Sequence, residues 1–180
     1  MSNLKPIIFL VPVIALILVI VFYRNLLQKA DNKAAFKRFI FKVTLFAFIL
    51  NFAWEVIQGP LYKSFTYSIS HIAFCALASV ADAIMVLLLY LGFALIYKDP
   101  LWAKGLTFQR VFILMVVGGI GASLAEVRHL VADNWAYDVS MPIIPAVGVG
   151  LSPVIQFMVL PALIYYLAFY FRESGKMKVV

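Results

Sequence analysis

The stretch HIAFCALASVADAIMVLLLYLGFALIY, from His71 to Tyr97, contains one acidic residue, Asp82, and neither lysine nor arginine. At a rise of about 1.5 Å per residue, a helix of this length crosses the ~30 Å hydrocarbon core of a bilayer with room to tilt. Four more apolar runs flank it, at Pro6 to Tyr23, Phe39 to Ile57, Val111 to Ala132 and Leu151 to Phe171. In lipid, each segment must satisfy its own backbone polar groups, which makes each run a helix. The expected fold is an all-α integral membrane bundle of about five helices. It forms one polytopic domain over residues 1–180, with no length left for a soluble one.

Composition points the same way. The chain is 65 % hydrophobic and 13 % charged, with a mean hydropathy of +1.02; soluble domains carry about 25 % charged residues. The net charge of +7 does not point to nucleic acid, because the basic residues fall between apolar runs rather than along one amphipathic face. Cys75 is the single cysteine and lies inside an apolar run, which excludes a disulfide framework and a cysteine-rich metal motif. The first run ends at Arg24 without a small-x-small cleavage pattern and reads as a retained helix.

The connections set the expected orientation. Arg24, Lys29, Lys33, Lys37, Arg38 and Lys42 gather at the first connection, Lys98, Lys104 and Arg110 at the third, and Arg172, Lys176 and Lys178 in the tail. Lys5, Lys63 and Arg128 fall on the opposite side. The positive-inside rule then places the N-terminus outside and the C-terminus in the cytosol of a bacterial inner membrane. Asn25 to Arg38 reads equally well as an interfacial amphipathic helix.

Two segments break the helical pattern. Met141 to Pro153, MPIIPAVGVGLSP, carries three prolines and two glycines. It predicts a re-entrant or capping loop on the outer face, or a plain interfacial turn, because irregular backbone at membrane depth must be covered by protein or line a cavity. Pro161, inside the fifth run, removes a donor and frees the carbonyl of Phe157. In the fourth run Gly118, Gly119, Gly121, Ala122 and Ser123 form a small-residue patch suited to close packing, within the protomer or between copies in a homo-oligomer.

Ionisable residues inside membrane spans are functional candidates by default, since a charge at the bilayer centre costs about 2.5–3.5 kcal/mol on the insertion scale. Asn51, Glu55 and Gln58 share one face of the second run beside Trp54. His71, Cys75, Ser79 and Asp82 make a stripe on the third, and Ser123, Glu126, His129 and Asp133 a broader one on the fourth. Under the assigned topology Glu55, Glu126 and His129 lie near the outer ends of their helices, with Asp82 roughly 16 Å deep. A cavity open to the outer leaflet, with Asp82 at its floor, is expected. The candidate catalytic residues are Glu55, Asp82, Glu126 and His129. Asn51, Trp54, Gln58, Trp135, Tyr137 and Gln156 are candidates to bind substrate. Trp54, Trp135 and Tyr137 fit an interfacial aromatic belt equally well, Arg128 and Asp138 fit a solvated rim, and His71 fits a helix boundary.

A carboxylic acid in a low-dielectric pocket can hold its proton near neutral pH while a neighbour stays ionised, and the three carboxylates are candidates to divide those roles. There is no nucleophile elbow, phosphate loop or zincin motif. With two histidines and no dense ligand motif, no metal and no cofactor is expected.

Asn51-Phe-Ala-Trp54-Glu55 resembles the motif around the helical Trp-Glu pair of the integral-membrane terpene cyclases of meroterpenoid pathways. That resemblance covers one helix and implies that Glu55 donates a proton to an epoxide or alkene. The C-terminal half, with Trp135-Ala-Tyr137, Met141-Pro142, Pro145, Gly148-Val-Gly150-Leu-Ser-Pro153 and Gln156, is similar to small bacterial polytopic membrane proteins, a likeness that implies no chemistry. The leading expectation is a membrane-embedded enzyme that acts by acid-base chemistry on a lipid or isoprenoid, with membrane lipid and a hydrophobic small molecule as its partners and no nucleic acid. A small-molecule or proton-coupled carrier and a non-catalytic assembly subunit are the alternatives.

Overall fold

The computed structural model describes residues 6–173. Five helices run in chain order, α1 (Leu10–Lys29), α2 (Lys33–Gln58), α3 (Ile69–Ile96), α4 (Phe108–Val131) and α5 (Leu151–Glu173). All five are long and apolar enough to cross a membrane. Their order agrees with the hydropathy pattern, while their ends follow caps rather than apolarity. Asn32 Oδ1 accepts from the amide of Ala35 at 2.9 Å, so α2 starts at Lys33 rather than Phe39. Ser68 and Thr107 cap α3 and α4 in the same way. Helix α1 runs on past Tyr23 to Lys29, so Asn25 to Arg38 is not a separate interfacial helix but the end of α1 and the start of α2. Its basic side chains are compatible with spanning helices because long stems carry the charges out to water. Lys5, Lys176 and Lys178 lie outside the described residues, as does the side chain of Arg172.

Helix α3 packs on α1 and α2, and α5 packs on α2 and α4, which leaves α1 and α4 as the outer members. The core is aromatic at the end where the α1–α2 and α3–α4 connections lie. Phe36, Phe39, Tyr90, Trp102 and Tyr165 are fully buried there. Each buried polar handle finds a carbonyl: Tyr90 Oη donates to Pro100 O (2.8 Å), Trp102 Nε1 to Tyr90 O (3.1 Å) and Tyr165 Oη to Val86 O (2.7 Å). Trp102 belongs to the α3–α4 connection, which folds back under the bundle. Arg110 holds it there, donating to Trp102 O (2.8 Å) and Gly105 O (3.0 Å), with its guanidinium 4.8 Å from the Tyr97 ring centre.

Helices α4 and α5 meet at Gly118. A Cβ at that position would lie 2.1 Å from the carbonyl oxygen of Phe157, the acceptor that Pro161 leaves without its helical donor. The missing side chain thus lets one helix present its Cα to the spare carbonyl of the other, a close approach typical of small-residue helix interfaces.

The segment from Met141 is an antiparallel hairpin of β1 (Ile143–Ile144) and β2 (Val149–Gly150), closed through Gly148 at φ +68°. Val149 is buried and clusters with Ala122 and Val154, so the hairpin packs against α4 and α5. Helix α5 follows without a gap: the amide of Leu151 donates to Pro142 O at 2.7 Å, and Pro153 lies in the first turn, where a missing N–H costs little.

Candidate functional site

The ends of α2 and α4 and the starts of α3 and α5 come together at the end of the bundle opposite the aromatic core. Gln156 of α5 is the hub. Its Nε2 donates to Asn51 Oδ1 (2.9 Å) and to Asp82 Oδ2 (3.2 Å), while its Oε1 accepts from Gln58 Nε2 (3.1 Å). Gln58 Nε2 also donates to Glu55 Oε1 (2.6 Å), and Gln58 Oε1 accepts from Ser152 Oγ (2.8 Å), which in turn accepts from Trp54 Nε1 (3.3 Å). Asn51 closes the chain by donating to Ala47 O (2.7 Å).

Each glutamine spends both amide hydrogens, and the Ala47 carbonyl, which can only accept, fixes Asn51 and through it which end of each glutamine amide is nitrogen. The network therefore has one polarity, with donors converging on the two carboxylates. Asn51, Gln58 and Gln156 are 1 %, 3 % and 1 % exposed. These three, candidates to bind substrate, hold one another and the acids in place. Glu55 and Asp82 are half-buried, and Asp82 Oδ1 takes no hydrogen bond from any described residue.

Glu126 is buried on α4 and accepts from Trp135 Nε1 (3.2 Å) and from Tyr137 Oη. The chain reaches that position by reversing directly after α4: Asp133 is left-handed at φ 52°, and the amide of Asn134 donates to His129 O at 3.0 Å, a Schellman-type stop. His129 stacks on Trp135 with ring centres 4.1 Å apart and pairs with Asn134 through Nδ1 at 2.8 Å. Through Trp135, which donates to Glu126, it belongs to the surroundings of that carboxyl group.

The α2–α3 and α4–α5 connections are zipped together over this site. Lys63 N donates to Ala136 O and Asp138 N to Leu61 O, both at 2.9 Å, which sets Tyr62 opposite Tyr137. Their ring centres lie 5.5 Å apart, and Tyr62 meets Trp135 edge-on at 6.3 Å. Burial raises the Tyr62 phenol above its ordinary value, and the charges of Glu126, Glu55, Tyr137 and Asp82 add to the effect. Burial, then the hydrogen bond to Glu126, raises Tyr137 as well.

Other candidates fall outside this arrangement. His71 stays at the helix boundary with Thr66 and Ser68. Ser123 bonds back to Gly119 O, and Ser79 to Cys75 O, each within its own helix. Asp138 is partly exposed, and hydrogen bonds from Ser140 lower its pKa. A groove of about 400 Å³ between α4, α5 and the hairpin is lined by Met115, Gly119, Ser123, Val147 and Met158 among others; none of the three carboxylates lines it. Among the described residues no three His, Cys, Asp or Glu side chains cluster as metal ligands.

Tyr62 and Ser152 belong to the site and were not among the candidates. Ser152 is legible in hindsight, four residues before Gln156 on one face of α5. Tyr62 carries no such signal, since only the pairing with Tyr137 brings it over the acids. Compared with protein-family models, with curated proteins and with solved structures, the chain has no match in any of the three.

Proposed function

We propose that this chain is a multi-pass protein of a bacterial inner membrane, N-terminus outside, and an enzyme that performs acid-base chemistry on a lipid or isoprenoid at the outer end of its bundle. The observation that carries this reading is that Glu55 and Asp82, joined through Gln58 and Gln156, share one end of the bundle with Glu126, which holds the aromatic cover through Trp135 and Tyr137. General acid-base catalysis needs carboxyl groups shielded from bulk water and near one another, so that one donates while another accepts. Trp54, Tyr62, Trp135 and Tyr137 add ring faces able to stabilise a developing cation. The resemblance of Asn51 to Glu55 to the membrane terpene cyclases favours an isoprenoid, with Glu55 as proton donor.

A carrier would need a path to the other end of the bundle. Below Asp82 the centre is filled by Leu87, Tyr90, Leu91, Trp102 and Tyr165, all buried, which favours a one-sided reaction pocket.

The test compares hydrophobic extracts of cells producing the wild type, Glu55→Gln and Arg128→Gln, separated and weighed by mass spectrometry. Glu55→Gln keeps an oxygen to accept from Gln58 and loses the acidic proton. The proposal expects a product present with the wild type and Arg128→Gln and missing with Glu55→Gln. Equal amounts from a well-folded Glu55→Gln would remove the acid-catalyst role.

A further inference from the structure

Both axial routes to the carboxylates are closed. On one side lie the zipped connections, with Tyr62, Trp135 and Tyr137 beneath them. On the other lies the aromatic core around Tyr90, Trp102 and Tyr165. As residues Glu55 and Asp82 are only partly buried, so a route to them runs between helices. The packing shows where. Helix α3 rests on α1 and α2, and α4 rests on α5, but α3 and α4 make no extended contact with each other.

One stripe of α4 records the shape of that gap. Leu114, Gly118, Gly121 and Ala125 recur at helical spacing on one face. Leu114 is buried in the aromatic core and Gly118 is buried against Phe157. One turn further toward the carboxylates, Gly121 and Ala125 are exposed, and a Cβ at Gly121 would meet nothing within 4 Å. Toward the acids α4 stays buried at Ala122 and Glu126, against α5 and the connection, and is open at Gly121 and Ala125.

We infer that the substrate reaches Glu55 and Asp82 sideways, from the lipid, through the opening between α3 and α4 beside Gly121 and Ala125. The molecule it admits is one dissolved in the bilayer, with an apolar body that passes a wall of small side chains, not a water-soluble metabolite. This rests on reading the carboxylate cluster as a reaction site and adds the phase from which its substrate comes. Small residues suit such a passage because they widen it without adding polar groups that lipid would not tolerate.

Carbodiimides, which modify carboxyl groups, test the route without any knowledge of the substrate. The full-length protein in phospholipid vesicles is treated with dicyclohexylcarbodiimide, which partitions into lipid, or with a quaternary-ammonium carbodiimide, which stays in water; modified peptides are then mapped. The expected result is modification of Glu55 or Asp82 by the apolar reagent alone, with exposed Asp133 as the site that the aqueous reagent reaches. Gly121→Trp and Ala125→Trp, made separately, should each bring the apolar labelling to background, while Ile17→Trp on the exposed face of α1 leaves it unchanged.

Labelling of Glu55 or Asp82 by the aqueous reagent overturns the inference. So does labelling by neither reagent, or apolar labelling undiminished in both tryptophan variants when these elute as folded, monodisperse protein. No step needs catalysis, so lateral labelling without a Glu55-dependent product would fault the enzyme reading alone. A Glu55-dependent product with aqueous labelling would fault the route alone.

Discussion

Gln156 on α5 donates to Asp82 on α3 across 3.2 Å, although 74 residues separate them in the chain. The same amide nitrogen reaches Asn51 on α2, so one side chain ties three helices at the depth where the mid-span carboxylate lies. A lone carboxylate at that depth would be costly. Gln156 supplies its donor, and Asn51, Gln58 and Ser152 hold that amide in the polarity the carboxylate needs.

Replacement of Gln156 by Leu keeps the volume and leaves Asp82, Asn51 and Gln58 each short of a partner. With a cost of about 1–3 kcal/mol for each buried polar group left unsatisfied, the variant should melt several degrees below the wild type in detergent. Gln156→Glu should fare no better, since it sets a second carboxyl group against Asp82 and removes the paired donors. Thermal unfolding of the three proteins decides this; a Leu variant as stable as the wild type would mean that the network contributes nothing.

Gly118 and Gly121 should respond in opposite ways to the same methyl group. At Gly118 the added Cβ would lie 2.1 Å from Phe157 O, which is backbone and cannot step aside, so Gly118→Ala should destabilise by roughly 1–3 kcal/mol. At Gly121 nothing lies within 4 Å, and an exposed helical Gly→Ala should be neutral or stabilising by about 0.5–1 kcal/mol. Melting temperatures that fall together, or not at all, would contradict the close α4–α5 approach.

The tyrosine pair over the acids predicts an alkaline limit. Burial holds the phenols of Tyr62 and Tyr137 above their ordinary value, so the folded protein binds their protons more tightly than the unfolded chain does. For groups raised in this way the stabilisation is complete below the unfolded phenol pKa of about 10 and is lost as pH rises beyond it. Melting temperature should therefore fall above pH ~10, and less steeply in the Tyr62→Phe, Tyr137→Phe double variant. Below that range the double variant should be the less stable protein, because Glu126 loses the Tyr137 donor, a bond worth about 1.5–3 kcal/mol if the carboxylate is charged.

Orientation can be read at two exposed positions. Val139, 99 % exposed in the α4–α5 connection, and Lys104, exposed in the α3–α4 connection, lie at opposite ends of the bundle. Against the buried Cys75 as background, a membrane-impermeant maleimide added to whole cells or spheroplasts should modify Val139→Cys and spare Lys104→Cys. The reverse pattern would place the carboxylates on the cytosolic side and invert the topology.

Hydropathy alone determined that there are five long apolar helices and their order, because the fitness of a helix to cross a membrane depends on composition over some twenty residues and on little else. The stripe of Asn51, Glu55 and Gln58 was legible for a related reason, since helical periodicity places residues three and four apart on one face whatever the neighbours are. Helix ends escaped that reading: Asn32, Ser68 and Thr107 begin helices by local hydrogen bonds that hydropathy does not register. What those polar residues do for one another was decided only by the tertiary structure. Gln156 reads from the sequence as a residue awaiting a substrate, and becomes the clamp of Asp82 because α5 lies against α2. Tyr62 joins the site because two distant connections pair backbone to backbone, a contact between chain segments for which no periodicity exists. Spacing along one chain carries the geometry within a helix, whereas the distance between helices is set by which side chains, or which glycine, stand between them.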